Sequence, residues 1–201
     1  ASGKIYNFHQ PVFTEDYHLL QDLNQHEPLV SVSTLFEKAH QKGMLTAAVG
    51  KSGPAFFQDY KQGGIVLDEM HVSPIDFARY MQKHHIALPK NTVHAYPHFK
   101  LPKKNGDPTR FLKVFTLHDG VTADPTQATT SPYDRSNHYL MTTFLQYIWP
   151  LKAPRLSVVW LRNPDTTEHN YGVGPDVYKE ALLDQDHLLQ QLVTSLKKSG
   201  Q

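Results

Sequence analysis

Leu156-Ser157-Val158-Val159-Trp160-Leu161, running into Arg162-Asn163-Pro164-Asp165-Thr166-Thr167-Glu168-His169-Asn170-Tyr171-Gly172, decides the fold. The first six residues are apolar except for one serine and rich in β-branched and aromatic side chains, which predicts a buried strand. Pro164 ends that strand, and Gly172 lets the chain leave the following turn. Downstream, Asp176 predicts the cap of a long final helix. Its Tyr178, Leu182, Leu189, Leu192, Val193 and Leu196 fall near one stripe. Upstream, Asp134 to Ile148 reads as a helix carrying Leu140, Phe144, Leu145 and Ile148.

The same alternation occurs earlier in the chain. Ser33 can cap a helix over Thr34 to Gln41, with Leu35, Phe36 and Ala39 on one face and Gly43 as its stop. Met44 to Val49 is then almost wholly apolar, as a strand buried on both faces would be. Ile65-Val66-Leu67, within Gly64 to Met70, is a second short apolar run. Ser73-Pro74 opens a helix through His84, with Ile75, Ala78 and Met81 on its inner face. Phe111 to Leu117 reads as a further strand. Ala1 to Val30 shows no stable period, and residues 89–133 read as a loop-rich insertion. Helices alternating with apolar strands predict an α/β fold with a mainly parallel sheet flanked by helices.

With 201 residues the chain suffices for one domain with a real core and is too short for two large ones. Cysteine is absent, which excludes disulfides, thiolate metal sites and cysteine nucleophiles. A formal net charge of +1 gives no reason to expect nucleic acid or membrane binding. No apolar run approaches the ~20 residues of a membrane span, and Ala1 to Gln10 lacks the apolar core of a signal peptide. Lys90 to Lys113 is locally basic, but its prolines and the Asn105-Gly106-Asp107-Pro108 turn fit a solvated loop.

Ligands of parallel α/β sheets bind at the carboxyl ends of strands, and the Asn163–Gly172 loop leaves such an end. Asp165 and His169 are four residues apart, so one helical turn brings their carboxylate and imidazole onto one divalent cation. Asp165 and Glu168 equally fit a capping box, which would leave His169 a surface residue. Asp186-His187 and His84-His85 are adjacent on predicted helices, and neighbours there diverge by ~100°. His94-Ala95-Tyr96-Pro97-His98 has ligand-like spacing but no carboxylate nearby. Gly50-Lys51-Ser52 resembles the end of a phosphate-binding loop, yet the glycine that motif needs is Leu45, inside a strand. Neither a Gly-x-Gly-x-x-Gly nor a Gly-x-Ser-x-Gly motif is present.

In order, these pieces resemble the type I phosphodiesterase/nucleotide pyrophosphatase family of the alkaline phosphatase superfamily. Three stretches carry the likeness: Thr34 to Lys51, Leu156 to His169 with its Pro-Asp-x-x-x-His motif, and Ala181 through Asp186 to Leu196. The likeness covers roughly half the chain, in two blocks with a divergent middle between them.

The resemblance implies an alkaline-phosphatase-like core and a hydrolase with two metal ions, usually zinc, flanking a Ser or Thr nucleophile. Asp165 and His169 would share one ion with a later histidine. The nucleophile and the remaining ligands would lie outside residues 1–201, and the family's phosphoryl-contacting Asn falls where this chain has Gly3. The expectation is therefore an internal segment of a periplasmic or secreted enzyme. It would carry one metal half-site, no catalytic residue of its own and no activity alone. The substrate would be a phosphate ester or nucleotide, hydrolysed through a covalent phospho-enzyme formed elsewhere in the full protein. A sulfatase or phosphomonoesterase of the same superfamily stays open, as does a non-catalytic domain that binds an anionic ligand on this fold. A sheet short of its neighbours would expose an edge and favour a homodimer or domain swap.

Overall fold

The computed structural model describes residues 5–7, 12–14, 29–51, 53–61, 63–69, 71–89 and 134–200. The predicted insertion beyond Pro89, the strand Phe111–Leu117, the basic stretch and the His94–His98 cluster lie outside the described residues. Strands β1 (Ile5–Asn7) and β2 (Val12–Thr14) pair antiparallel, with Ile5 opposite Thr14, where the sequence showed no period. Three residues per strand are too few to register as alternation.

Helix α1 (Leu35–Gln41) is capped by Thr34, one residue later than expected. The cap is reciprocal: Glu37 N–H donates to Thr34 Oγ1 at 3.2 Å, and Thr34 N–H donates to Glu37 Oε2 at 2.8 Å. Lys61, at 2.5 Å, and this cap hold the Glu37 carboxyl down at about 2. β3 (Thr46–Gly50) is buried along its whole length, as its composition predicts. α2 (Pro54–Gln58), β4 (Ile65–Asp68), β5 (Val72–Ser73) and α3 (Ile75–Lys83) follow.

α4 (Asp134–Thr143) continues through a π-helical turn, Phe144–Ile148, into α5 (Trp149–Lys152). The helix thus runs beyond its predicted end at Ile148. Pro150 has no N–H to give to the turn before it, and the wider π turn accommodates that loss. Ala153, in the left-handed region at φ 46°, ends the helix. β6 (Leu156–Trp160), α6 (Asp165–Tyr171) and α7 (Asp176–Lys198) complete the order.

The main sheet has order β5-β4-β3-β6. β3 is parallel to both β4 and β6, and β5 is antiparallel to β4, so the sheet is mainly parallel as expected. Alternation assigns its two faces. Ala47, Val49, Ile65 and Leu67 point into a core with Phe77, Ala78 and Met81 of α3, Leu140 and Met141 of α4, and Leu188 of α7. Ala48 and Val66 point the other way, against Phe36 of α1 and Ala55 of α2. Each large side chain so buried contributes roughly 1.5–3 kcal/mol.

Two expectations from apolar patterning fail. β6 is only partly buried, with Ser157 and Trp160 exposed, because among the described residues no strand flanks its far side. On α7 the buried residues are Ala181, Gln185 and Leu188, while Leu182, Leu189 and Val193 of the predicted stripe are 42–52% exposed. Asp176 is its first helical residue; Pro175 stands at the cap.

Candidate functional site at the carboxyl ends of the strands

Gly50 ends β3 opposite Asp68 of β4 and Trp160 of β6. Its φ is +145°, and a Cβ there would lie 2.0 Å from the Trp160 carbonyl oxygen. Glycine is therefore required where these strands approach. The next amide, Lys51 N–H, donates to that same carbonyl at 2.8 Å. Lys51 is thereby fixed beside the exit of β6.

The exit itself is held by buried polar contacts. Arg162 pairs with Glu69 across the end of β3: Nε donates at 2.5 Å, and Nη2 donates to the other carboxylate oxygen. Glu69 also accepts from Ser136 Oγ at 3.2 Å. The Arg162 N–H donates to Asn137 Oδ1 at 3.1 Å, and Thr167 Oγ1 donates to Asn163 Oδ1 at 2.9 Å. Both ends of the loop between β6 and α6 are thus tied down. On β4, buried Asp68 accepts from the His71 N–H at 2.8 Å and faces His71 Nδ1 at 3.0 Å.

This frame presents Asp165 and His169. α6 supplies the single helical turn that their spacing requires, and Asp165 Oδ1 lies 3.5 Å from His169 Nε2. Two donors on a tetrahedral zinc ion, with bonds of ~2.0–2.1 Å, stand about 3.3 Å apart. The pair therefore fits two corners of such a site. Both side chains are open to solvent, at 53% and 79%. Among the described residues no third His, Cys, Asp or Glu joins them in a metal-sized cluster. Lys51 Nζ donates to Asp165 Oδ2 at 2.9 Å, and this hydrogen bond holds the Asp165 carboxyl below the usual carboxylate range.

The competing capping box does not form. Asp165 is the first residue of α6, Pro164 occupies the cap, and no side chain caps the helix. Glu168 instead accepts a hydrogen bond from Tyr178, which pushes that phenol up and links α6 to α7. Asp186 accepts from Gln190 on the exposed face of α7, as a structural residue would.

A Thr46–His40–Asp59 group lies at the opposite end of the sheet. His40 Nε2 is 2.8 Å from Thr46 Oγ1 and 3.7 Å from Asp59 Oδ2. One ring nitrogen faces both partners and Thr46 is fully buried, so the group cannot relay a proton as a catalytic triad does. Asp59 instead accepts from the Gly63 and Gly64 amides, closing the turn before β4.

The sequence profile of the type I phosphodiesterase / nucleotide pyrophosphatase family matches residues 12–201. The chain belongs to this family. Membership indicates a phosphodiesterase/pyrophosphatase-like hydrolase acting on phosphate esters. The mostly parallel four-stranded sheet, with helices on both faces, is compatible with a partial alkaline-phosphatase-like core. No curated protein and no solved structure matches the chain. Among the described residues no helix is long and apolar enough to cross a membrane.

Sequence spacing singled out Asp165 and His169 as candidates but gave no sign of the Lys51, Glu69 and Arg162 contacts around them. Lys51 follows a strand-ending glycine at the carboxyl edge, and that position was the available signal.

Proposed function

We propose that Asp165 and His169 are two ligands of a divalent-metal site, with zinc the ion their donors suit. The hydrolase they serve transfers a phosphoryl or nucleotidyl group from a phosphate ester or nucleotide to water. The observation that carries this is the 3.5 Å convergence of a carboxylate oxygen and an imidazole nitrogen at the carboxyl end of β6. A bound divalent ion supplies Lewis-acid stabilisation of phosphoryl oxygens. The chain's own part is to orient the two donors: the Glu69–Arg162 pair and the Asn137 contact fix the strand exit, and α6 sets the spacing. The nucleophile and the ligands of a second ion come, in this proposal, from outside these residues. The complete enzyme works in the periplasm or outside the cell, which fractionation of the producing cells tests.

Zinc titration of the 201-residue chain, followed through the His169 imidazole signals, tests the metal assignment. Two ligands of the usual four predict weak binding that His169→Ala abolishes. Tight stoichiometric binding that survives this substitution overturns the assignment. With zinc present, the chain alone should leave a chromogenic nucleotide phosphodiester intact; turnover would show that a nucleophile is already here.

A further inference from the structure

We propose that Lys51 is a positioning residue for the metal ligand Asp165, turning one carboxylate oxygen toward His169 by holding the other. The inference rests on the metal assignment above and adds to it a residue 114 positions away in sequence.

Asp165 and His169 are both exposed, and an exposed carboxylate samples several rotamers. Two restraints act on this one. α6 fixes its backbone, and Lys51 Nζ takes Oδ2 at 2.9 Å while Oδ1 faces His169 Nε2 at 3.5 Å. Lys51 is itself well anchored. Its N–H donates to Trp160 O at 2.8 Å, and the preceding Gly50 permits an approach to β6 that no larger residue allows. The ammonium thus arises from the residue that follows β3 and lies against the β6 exit. Its side chain is 28% exposed and spans from one strand end to the next element's first turn.

A cation beside a cation site also repels. In this solvated setting water screens that repulsion, whereas a partner hydrogen-bonded to a ligating carboxylate is typically worth 10–100-fold in metal affinity. Orientation therefore outweighs repulsion.

The test is the zinc affinity of the 201-residue chain and its Lys51→Met, Lys51→Arg and His169→Ala variants, each read from the imidazole signals of the remaining histidines and the amide spectrum. Lys51→Met, which keeps the length and loses the donor, should weaken zinc binding by roughly tenfold or more. Lys51→Arg, which keeps a charged donor, should stay near wild type. Unchanged or tighter binding in Lys51→Met overturns the inference, as does an equal loss in Lys51→Arg. The amide spectrum of Lys51→Met should match wild type away from the site; a general loss of dispersion would mark Lys51 as a folding residue and overturn it too. If His169→Ala leaves zinc affinity unchanged, the metal assignment falls and this inference with it. If His169→Ala weakens binding and Lys51→Met does not, only the role of Lys51 falls.

Discussion

Gly50 has little freedom to vary. Alanine there would need φ near +145° and a Cβ 2.0 Å from the Trp160 carbonyl oxygen. That contact is with backbone, so no rotamer change relieves it, and β3 must separate from β6. Gly50→Ala should destabilise the fold by roughly 3 kcal/mol or more, the range of backbone strain combined with a core rearrangement. Urea unfolding checks this: the midpoint should fall with little change in slope. A wild-type midpoint would mean that the strands do not approach as described. At this scale the approach of Asp165 to His169 was legible because an i, i+4 spacing is local information. Lys51 was not, because its meeting with Asp165 depends on the Gly50–Trp160 register, which joins segments far apart in the chain.

Among elements, β3 and α7 show what patterning can and cannot carry. Met44 to Val49 was readable because a strand buried on both faces is apolar at nearly every position. α7 carries leucine or valine around much of its circumference, so hydropathy alone does not single out the inward face. That face is Ala181, Gln185 and Leu188, where a small residue and an amide carry little apolar signal. Ala181 lets the helix come close, and the His138–Asp184 pair ties it to α4. The consequence is a sharp contrast between neighbours. Leu188 is fully buried in the core, and Leu188→Ala should cost about 2–5 kcal/mol. Leu189 is 52% exposed, and Leu189→Ala should change stability by less than about 0.5 kcal/mol. Thermal melts of the two variants decide it; the reverse order would restore the stripe that the sequence predicts.

For the molecule as a whole, the same exposed face poses a question of association. The four-stranded sheet ends at β6, whose outer main-chain groups have no strand beside them among the described residues. Next to that edge lies a cavity of about 440 Å³ lined by Phe144, Trp149, Val159, Leu192 and Leu196, among others. The exposed Leu189 and Val193 of α7 belong to the same helix segment. A strand edge beside an apolar groove is the arrangement natural proteins cover, because it pairs readily with another chain. A second copy presents an identical edge, and a two-fold axis across β6 would join the two sheets antiparallel. Light scattering of the purified chain should therefore give a mass above the 22.9 kDa monomer as concentration rises. Leu189→Lys with Val193→Lys, which places charge beside the groove at exposed positions, should return the mass to the monomer without lowering the melting temperature by more than a few degrees. A monomeric wild type at high concentration would sink the idea. A dimer that ignores both lysines would move the contact away from this side of the sheet.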